Sequence, residues 1–176
     1  GIIMLGFIST LFGMSFQSLL PAWAREALNV ESYDLGGLMA IMGVGALAGA
    51  LGLASLTDIR RKGLLLIAIS AVWGLTIIFW AQTTTYAAAA PLLALIGLES
   101  SVFMSLSMTM LQVYSAPEMR GRVMSLGMMM AWGLTPLSAV PFGILSENSG
   151  TANALSLSGL ILFTLTVAFF LAVPQF

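Results

Sequence analysis

The stretch LLLIAISAVWGLTIIFWA, residues 64–81, contains no charged side chain. The hydrocarbon core of a bilayer is about 30 Å thick, and a helix needs roughly 20 apolar residues to cross it. Five further segments have the same apolar character, so the predicted spans are residues 2–21, 34–56, 64–81, 87–114, 123–146 and 154–173. The sequence therefore predicts an all-α membrane protein, a six-transmembrane-helix bundle.

The composition of the whole chain supports a membrane environment. Of its 176 residues, 59% are hydrophobic and 7% are charged, and the mean hydropathy is +1.03. Soluble domains carry about 25% charged residues. Membrane β-strands alternate in polarity over about ten residues, whereas these segments are longer and continuously apolar. The chain is therefore expected to cross the membrane as helices.

The residues that are missing exclude several functions. The chain has no histidine, no cysteine and a single lysine, Lys62, in a loop. Histidine-based metal sites and triads, thiol nucleophiles and an intramembrane lysine base are therefore excluded. The net charge is −1, which indicates no nucleic-acid partner. We expect a protein that is not an enzyme and that has no metal and no cofactor.

Five of the six positive side chains lie on the second and fourth loops, and the sixth, Arg25, lies on the first. Arg60, Arg61 and Lys62 follow the second predicted span, and Arg120 and Arg122 follow the fourth. Because cytoplasmic loops are rich in lysine and arginine, both loops are predicted to be cytoplasmic. With six spans, both ends of the chain then lie on the cytoplasmic side.

The predicted spans differ in their content of small residues. The second carries Gly45-xxx-Gly49 and many other small side chains, a pattern that lets membrane helices approach closely. The third and sixth each have one interior glycine and many bulky side chains. We expect the third and sixth spans to face lipid and the other four to form the packed, functional set.

The fifth predicted span contains two prolines, each with a glycine close by. Proline removes a backbone donor and kinks a membrane helix unless its neighbours compensate. The pattern, Gly133, Pro136, Pro141 and Gly143, is compatible with a static bend that helps packing. It is equally compatible with a bend that flexes during a conformational cycle.

Glu99 is the acidic residue placed deepest in a predicted span. An ionised carboxylate near the bilayer centre costs several kcal/mol, so such residues usually face a cavity or a partner and mark a pathway. Glu99 is thus a candidate for binding a proton or a cationic substrate, the alternative being a structural carboxyl group. Gln17 and Gln112 are weaker candidates for the same pathway. We expect the Glu99 and Gln17 surfaces to need a second half of the protein to cover them.

Two loops combine acidic and basic residues. The first contains Asp58 together with Arg60, Arg61 and Lys62, and the second contains Glu118 together with Arg120 and Arg122. Membrane topology alone accounts for such basic loops. The alternative is a latch, in which an acid pairs with an arginine across a bundle interface in one conformational state.

Three segments of the chain resemble the major facilitator superfamily. Thr57-Asp58-Ile59-Arg60-Arg61-Lys62-Gly63 resembles its acid-and-arginine loop motif, and Pro117-Glu118-Met119-Arg120-Gly121-Arg122 resembles the R-G-R loop before helix 11 of many bacterial members. Gln17-x-x-x-Pro21-x-x-Ala24-Arg25 is similar to helix 7 of the enterobactin-exporter-like branch. The resemblance runs along essentially the whole chain, in register with helices 7 to 12.

The resemblance implies one half of a twelve-helix major facilitator fold, residues 1–176 being its C-terminal half. It implies alternating access about a midplane site, with helices 7, 8, 10 and 11 lining the route. Members of that branch are typically proton-driven bacterial inner-membrane exporters of siderophores, drugs or other amphiphilic small molecules. The partners implied are that substrate, protons, lipid and an N-terminal half. The alternative is a non-transporting six-helix module, a scaffold or a sensor.

The start of the chain is also informative. Gly1-Ile2-Ile3 stands inside a hydrophobic segment, without an initiator methionine or a polar flank. We therefore expect the chain to be a fragment of a longer protein.

Overall fold

The computed structural model describes residues 2–28, 32–55, 62–133 and 135–172. Within these ranges the chain is almost entirely helical and forms no strand, which confirms the predicted all-α membrane bundle. The helices are α1 (Ile2–Ile8), α2 (Ser15–Leu28), α3 (Ser32–Ser55), α4 (Lys62–Ala81), α5 (Tyr86–Tyr114), α6 (Arg120–Gly133), α7 (Thr135–Ser149) and α8 (Thr151–Ala172).

Five helical segments of the described chain are long and apolar enough to cross a membrane. They are Met4–Leu28, Asp34–Ser55, Lys62–Ala81, Tyr86–Tyr114 and Thr151–Ala172. The remaining predicted segment, 123–146, is helical in all of its described residues, which belong to α6 and α7; residue 134 lies outside the described residues.

The first span contains one irregular turn and continues past its proline. A π-helical turn, Ser9–Gly13, connects α1 to α2. A Cβ added to Gly13 would lie 2.8 Å from the Trp73 ring, so the glycine lets that ring pack against the widened turn. The prediction ended this span near Pro21, yet α2 includes Pro21 and extends to Leu28. Trp23 is fully buried on this last part, and its packing stabilises the extension.

Glycines allow α3 and α5 to touch through their backbones. A Cβ on Gly45 would overlap the carbonyl oxygen of Ala94, and one on Gly97 would overlap that of Met42. A Cβ on Gly49 would lie 2.6 Å from the carbonyl oxygen of Leu98. The small-residue motif of the second span therefore marks a helix contact, as its spacing predicts. Gly74 of α4 and Gly159 of α8 make a similar close approach.

Burial does not follow the predicted division between lipid-facing and packed spans. In the most apolar window of α4, 50% of residues are buried, whereas in that of α3 only 17% are. The expectation that the second span is packed and the third peripheral is therefore wrong for the described chain. The third span carries three fully buried core side chains, Trp73, Ile77 and Trp80. The glycine spacing in the second span serves one narrow contact and leaves the other faces of that helix open.

The last two helices are joined by a single turn residue, Gly150. Its φ of +88° lies in the left-handed region, which glycine adopts without strain. The turn presents the first residue of α8 to the end of α2: the backbone N–H of Thr151 donates to Glu26 Oε2 at 3.1 Å. The hydroxyl groups of Ser146 and Thr151 lie 2.7 Å apart and hydrogen bond to each other. These contacts fix one end of the bundle.

Candidate functional site around Glu99

Glu99 lies on α5 and is buried against α4. Its side chain is 2% exposed, and its helix neighbours Val102, Phe103 and Leu106 are buried on the same helix. Thr76 Oγ1 lies 2.9 Å from Glu99 Oε1, within hydrogen-bonding distance. The second carboxyl oxygen, Oε2, is buried and has no hydrogen-bond partner among the described residues. The structure therefore places a half-satisfied carboxyl group between the third and fourth spans.

Thr76 has a second polar neighbour on its own helix. Its Oγ1 lies 3.0 Å from the carbonyl oxygen of Val72, one turn earlier. Threonine commonly bonds back to this carbonyl when it lies inside a helix. The Thr76 hydroxyl is thus close to two acceptor oxygens, one on α4 and one on α5.

Two buried indole groups stand on the same helix as Thr76. Trp73 precedes it by three residues and Trp80 follows it by four, and residues at these spacings share a helix face. Both rings are fully buried, and neither Nε1 has a hydrogen-bond partner within the described ranges. The Trp73 ring centroid is 5.9 Å from that of Phe103, one turn beyond Glu99. Unsatisfied buried polar atoms are uncommon in proteins. Here the two donors lie within two turns of each other on α4, and the acceptor, Oε2, belongs to Glu99 on the neighbouring α5.

A second polar group lies deeper in the bundle, on another part of α4. The hydroxyl groups of Ser9 and Ser70 are 2.7 Å apart, and those of Ser70 and Thr166 are 3.1 Å apart. All three side chains are fully buried. This chain of hydroxyl groups links the first, third and last spans, and it satisfies its own members. It therefore needs no ligand.

The three residues predicted to lie along a pathway do not form one cluster. Glu99 is buried inside the described chain, whereas Gln17 on α2 and Gln112 near the end of α5 are exposed. The expectation that Glu99 needs a second half to cover it is thus wrong. It is covered by α4, because Thr76 and Trp73 of that helix contact α5. Gln17 is exposed as expected.

The loop residues are only partly described. Asp58, Arg60 and Arg61 lie outside the described residues, and Lys62 is the first residue of α4. Glu118 lies in a short 3-10 turn, Pro117–Met119. It is exposed, as are Arg120 and Arg122 at the start of α6. The latch hypothesis for both loops remains a prediction.

One groove lies on the surface between α4 and α8. Its volume is about 220 Å³, and it is lined by Leu64, Ile67, Ala68, Ala71, Thr166, Val167 and Phe170. Small-molecule sites usually have about 300–1,000 Å³ and a few polar groups that fix orientation. The groove is too small and too apolar for such a site, and it is suited to lipid contact.

The sequence indicates the carboxyl group of this site but not the side chains around it. Thr76, Trp73 and Trp80 were all visible in the third span, which was expected to face lipid. The available signal was the presence of Thr76 and two indole groups in a segment made mostly of aliphatic side chains. The carboxyl group that these side chains contact depends on how the helices pack. The spacing of residues within one span does not define that packing.

The helices and the buried carboxyl group together define a polytopic helical membrane protein with an ionisable group between two spans. The family model described as Major Facilitator Superfamily matches residues 1–137 of the chain. No curated protein matches it. Because the family match covers most of the chain, the protein belongs to the Major Facilitator Superfamily. It is therefore an integral membrane protein of a family of secondary transporters.

Proposed function

We propose that the chain is the C-terminal half, helices 7 to 12, of a proton-coupled exporter that works by alternating access. Its substrate class is a siderophore, a drug or another small amphiphilic compound, as in the enterobactin-exporter-like branch that the sequence resembles. In this proposal the protein resides in a bacterial cytoplasmic membrane, with both ends of the chain in the cytoplasm.

The observation that carries the proposal is the buried, half-satisfied carboxyl group of Glu99. A charged carboxylate in an apolar interior is costly unless it is paired. Among the described residues, Thr76 is the polar partner of Glu99, and no ion pair forms there. A carboxyl group in such surroundings is suited to alternate between a protonated and an ionised form as its access to water changes. That alternation is what proton coupling requires.

The exposed faces of α3 and α6 also support the proposal. Large apolar side chains are exposed along α3, among them Val44, Leu47 and Leu51, and Met128 and Met129 are exposed on α6. The resemblance assigns these helices to the route between two halves of the transporter. Flexible methionines adapt to more than one packing partner, which suits a surface that changes its contacts during a transport cycle.

Substitution of Glu99 by glutamine tests proton coupling directly. The exporter would be reconstituted in liposomes, and efflux of a panel of dyes, drugs and siderophores would be followed under an imposed proton gradient. We expect Glu99→Gln to abolish gradient-driven efflux and to leave expression and substrate binding intact, since glutamine cannot release a proton. Glu147→Gln, which changes an exposed acid on α7, is the matched control. Unchanged efflux by Glu99→Gln would disprove the proposed role.

Reconstitution of the 176-residue chain alone tests the half-transporter proposal. We expect it to be inactive, because six helices supply one wall of a central cavity. Co-expression with an N-terminal half should restore transport. Robust, substrate-specific transport by the 176-residue chain alone would contradict the proposal. Stable six-helix assembly without transport, with or without that half, would favour the scaffold or sensor.

A further inference from the structure

The Thr76 hydroxyl group has one hydrogen and two acceptor neighbours. Val72 O lies 3.0 Å from Oγ1, and Glu99 Oε1 lies 2.9 Å from it. A hydroxyl group donates one hydrogen bond and accepts up to two. With its single hydrogen, Thr76 can make one well-aligned hydrogen bond, either to the carbonyl or to the carboxyl group. The other short oxygen–oxygen contact needs a hydrogen from elsewhere.

We propose that Glu99 supplies that hydrogen, so that Thr76 holds the protonated carboxyl group in a directed chain across two spans. Glu99 Oε1–H donates to Thr76 Oγ1, and the Thr76 hydroxyl donates to the carbonyl oxygen of Val72. In this arrangement each short contact contains one hydrogen. Oε2 is then the carbonyl oxygen of a neutral carboxylic acid. It has no hydrogen-bond partner among the described residues, but it also carries no charge that would need one.

An ionised Glu99 fits these two short oxygen–oxygen contacts less well. If Glu99 were ionised, Thr76 would donate to Oε1, and Val72 O would keep only its backbone hydrogen bond. The negative charge would then be shared with Oε2, which is buried and without a donor among the described residues. Burying an uncompensated charge costs more than leaving a neutral oxygen unpaired. The protonated chain is therefore the state that this packing holds.

Release of the proton then requires the Thr76 hydroxyl to rotate. The O–H bond of Glu99 breaks, its electron pair stays on Oε1, and the proton passes to a water molecule admitted to the site. Thr76 turns its hydrogen from Val72 O to Oε1, so that the new carboxylate is hydrogen-bonded. Thr76 is thus a positioning residue for the proton site. The release of the proton during transport rests on the proposed proton-coupled function. The direction of the hydrogen bonds does not depend on that function.

Infrared spectroscopy of the protein in lipid nanodiscs at neutral pH tests the hydrogen-bond chain without any transport measurement. The difference between the wild type and Glu99→Gln should contain the C=O stretching band of a protonated carboxyl group. Thr76→Val, which keeps the side-chain shape and removes the hydroxyl, should shift that band. Thr76→Ser should leave it in place. Thr109→Val is the matched control, because the exposed Thr109 also bonds back to its own helix, at Ser105 O, without a carboxyl neighbour.

Transport supplies an independent measurement of the positioning role. Thr76→Val should lower the turnover of gradient-driven efflux by about tenfold, the order expected when one interhelical hydrogen bond is lost in a membrane, with KM unchanged. Thr76→Ser should restore most of it. Carboxylate bands in place of the C=O band, or an unshifted band in Thr76→Val, would overturn the hydrogen-bond chain. A shifted band with unchanged turnover would overturn only the positioning role. Absence of gradient-driven efflux in the wild type itself would count against the transport proposal instead.

Discussion

The indole Nε1 of Trp23 donates a hydrogen bond to the carbonyl oxygen of Ala81, 3.1 Å away. Ala81 is the last residue of α4, and the final carbonyls of a helix lack intrahelical partners. The Trp23 ring also packs on that of Trp80, with centroids 4.2 Å apart. One side chain thus satisfies a helix end and joins the first span to the third, which explains why α2 continues past Pro21.

Replacement of Trp23 should separate these two contributions. Trp23→Phe keeps an aromatic ring and removes the donor, so the Ala81 carbonyl loses its partner. We expect the loss of the hydrogen bond to lower the unfolding free energy by about 0.6–2 kcal/mol. The smaller ring should lower it further. Trp80→Phe is the control, because Trp80 Nε1 has no partner within the described chain. Denaturation in mixed micelles would measure the unfolding free energy of both variants. An equal loss in Trp23→Phe and Trp80→Phe would contradict the role of the hydrogen bond.

Gly97 should tolerate no side chain. Gly97→Ala would place a methyl group on the carbonyl oxygen of Met42, so α3 and α5 would have to separate. We expect a destabilisation of about 1–3 kcal/mol, typical of overpacking, seen as a lower melting temperature in detergent. Gly52→Ala is the control on α3, where a Cβ meets no atom within 4 Å. The close contact would be refuted if both variants melted like the wild type.

Removal of the Glu26 carboxylate should loosen the start of α8. The carboxylate accepts from the Thr151 backbone N–H at 3.1 Å, where a helix start has free donors and favours negative charge. Glu26→Ala should cost about 0.5–2 kcal/mol of stability, the range for the loss of a helix cap. Hydrogen exchange at the first turn of α8 would report it. Glu147→Ala is the control and should not lower the stability, since an acid near the end of α7 opposes the helix dipole. Faster exchange in this control as well would indicate a non-specific effect.

Arg120 and Arg122 should affect the conformational cycle more than substrate recognition. They are exposed at the start of α6, in a loop expected to lie at the cytoplasmic surface, far from a midplane site. Replacing both with alanine should slow turnover and leave substrate affinity nearly unchanged. Replacing both with lysine keeps the charges and should retain most of the turnover. A large loss of affinity with normal turnover would exclude this role.

The sequence and the structure agree where the deciding property is local. Gly45-xxx-Gly49 indicates a close helix contact from one span alone, since small side chains at this spacing leave a flat helix surface. Pro21 shows the limit of this approach. The predicted span ends at Pro21, but α2 continues to Leu28, because Trp23 packs against the end of α4, and this packing depends on a neighbouring helix.

The sequence by itself determined that the chain lies in a membrane, that it is helical and that one span contains an acid. These follow from the length of apolar runs and from the cost of charge in lipid, which depend on each segment separately. Only the tertiary structure decided that Glu99 faces Thr76, because this pairing depends on how α4 and α5 are rotated against each other. That rotation results from contacts spread over several helices, among them the Trp73 ring against the turn at Gly13 and the glycine contact between α3 and α5, and no single segment encodes it.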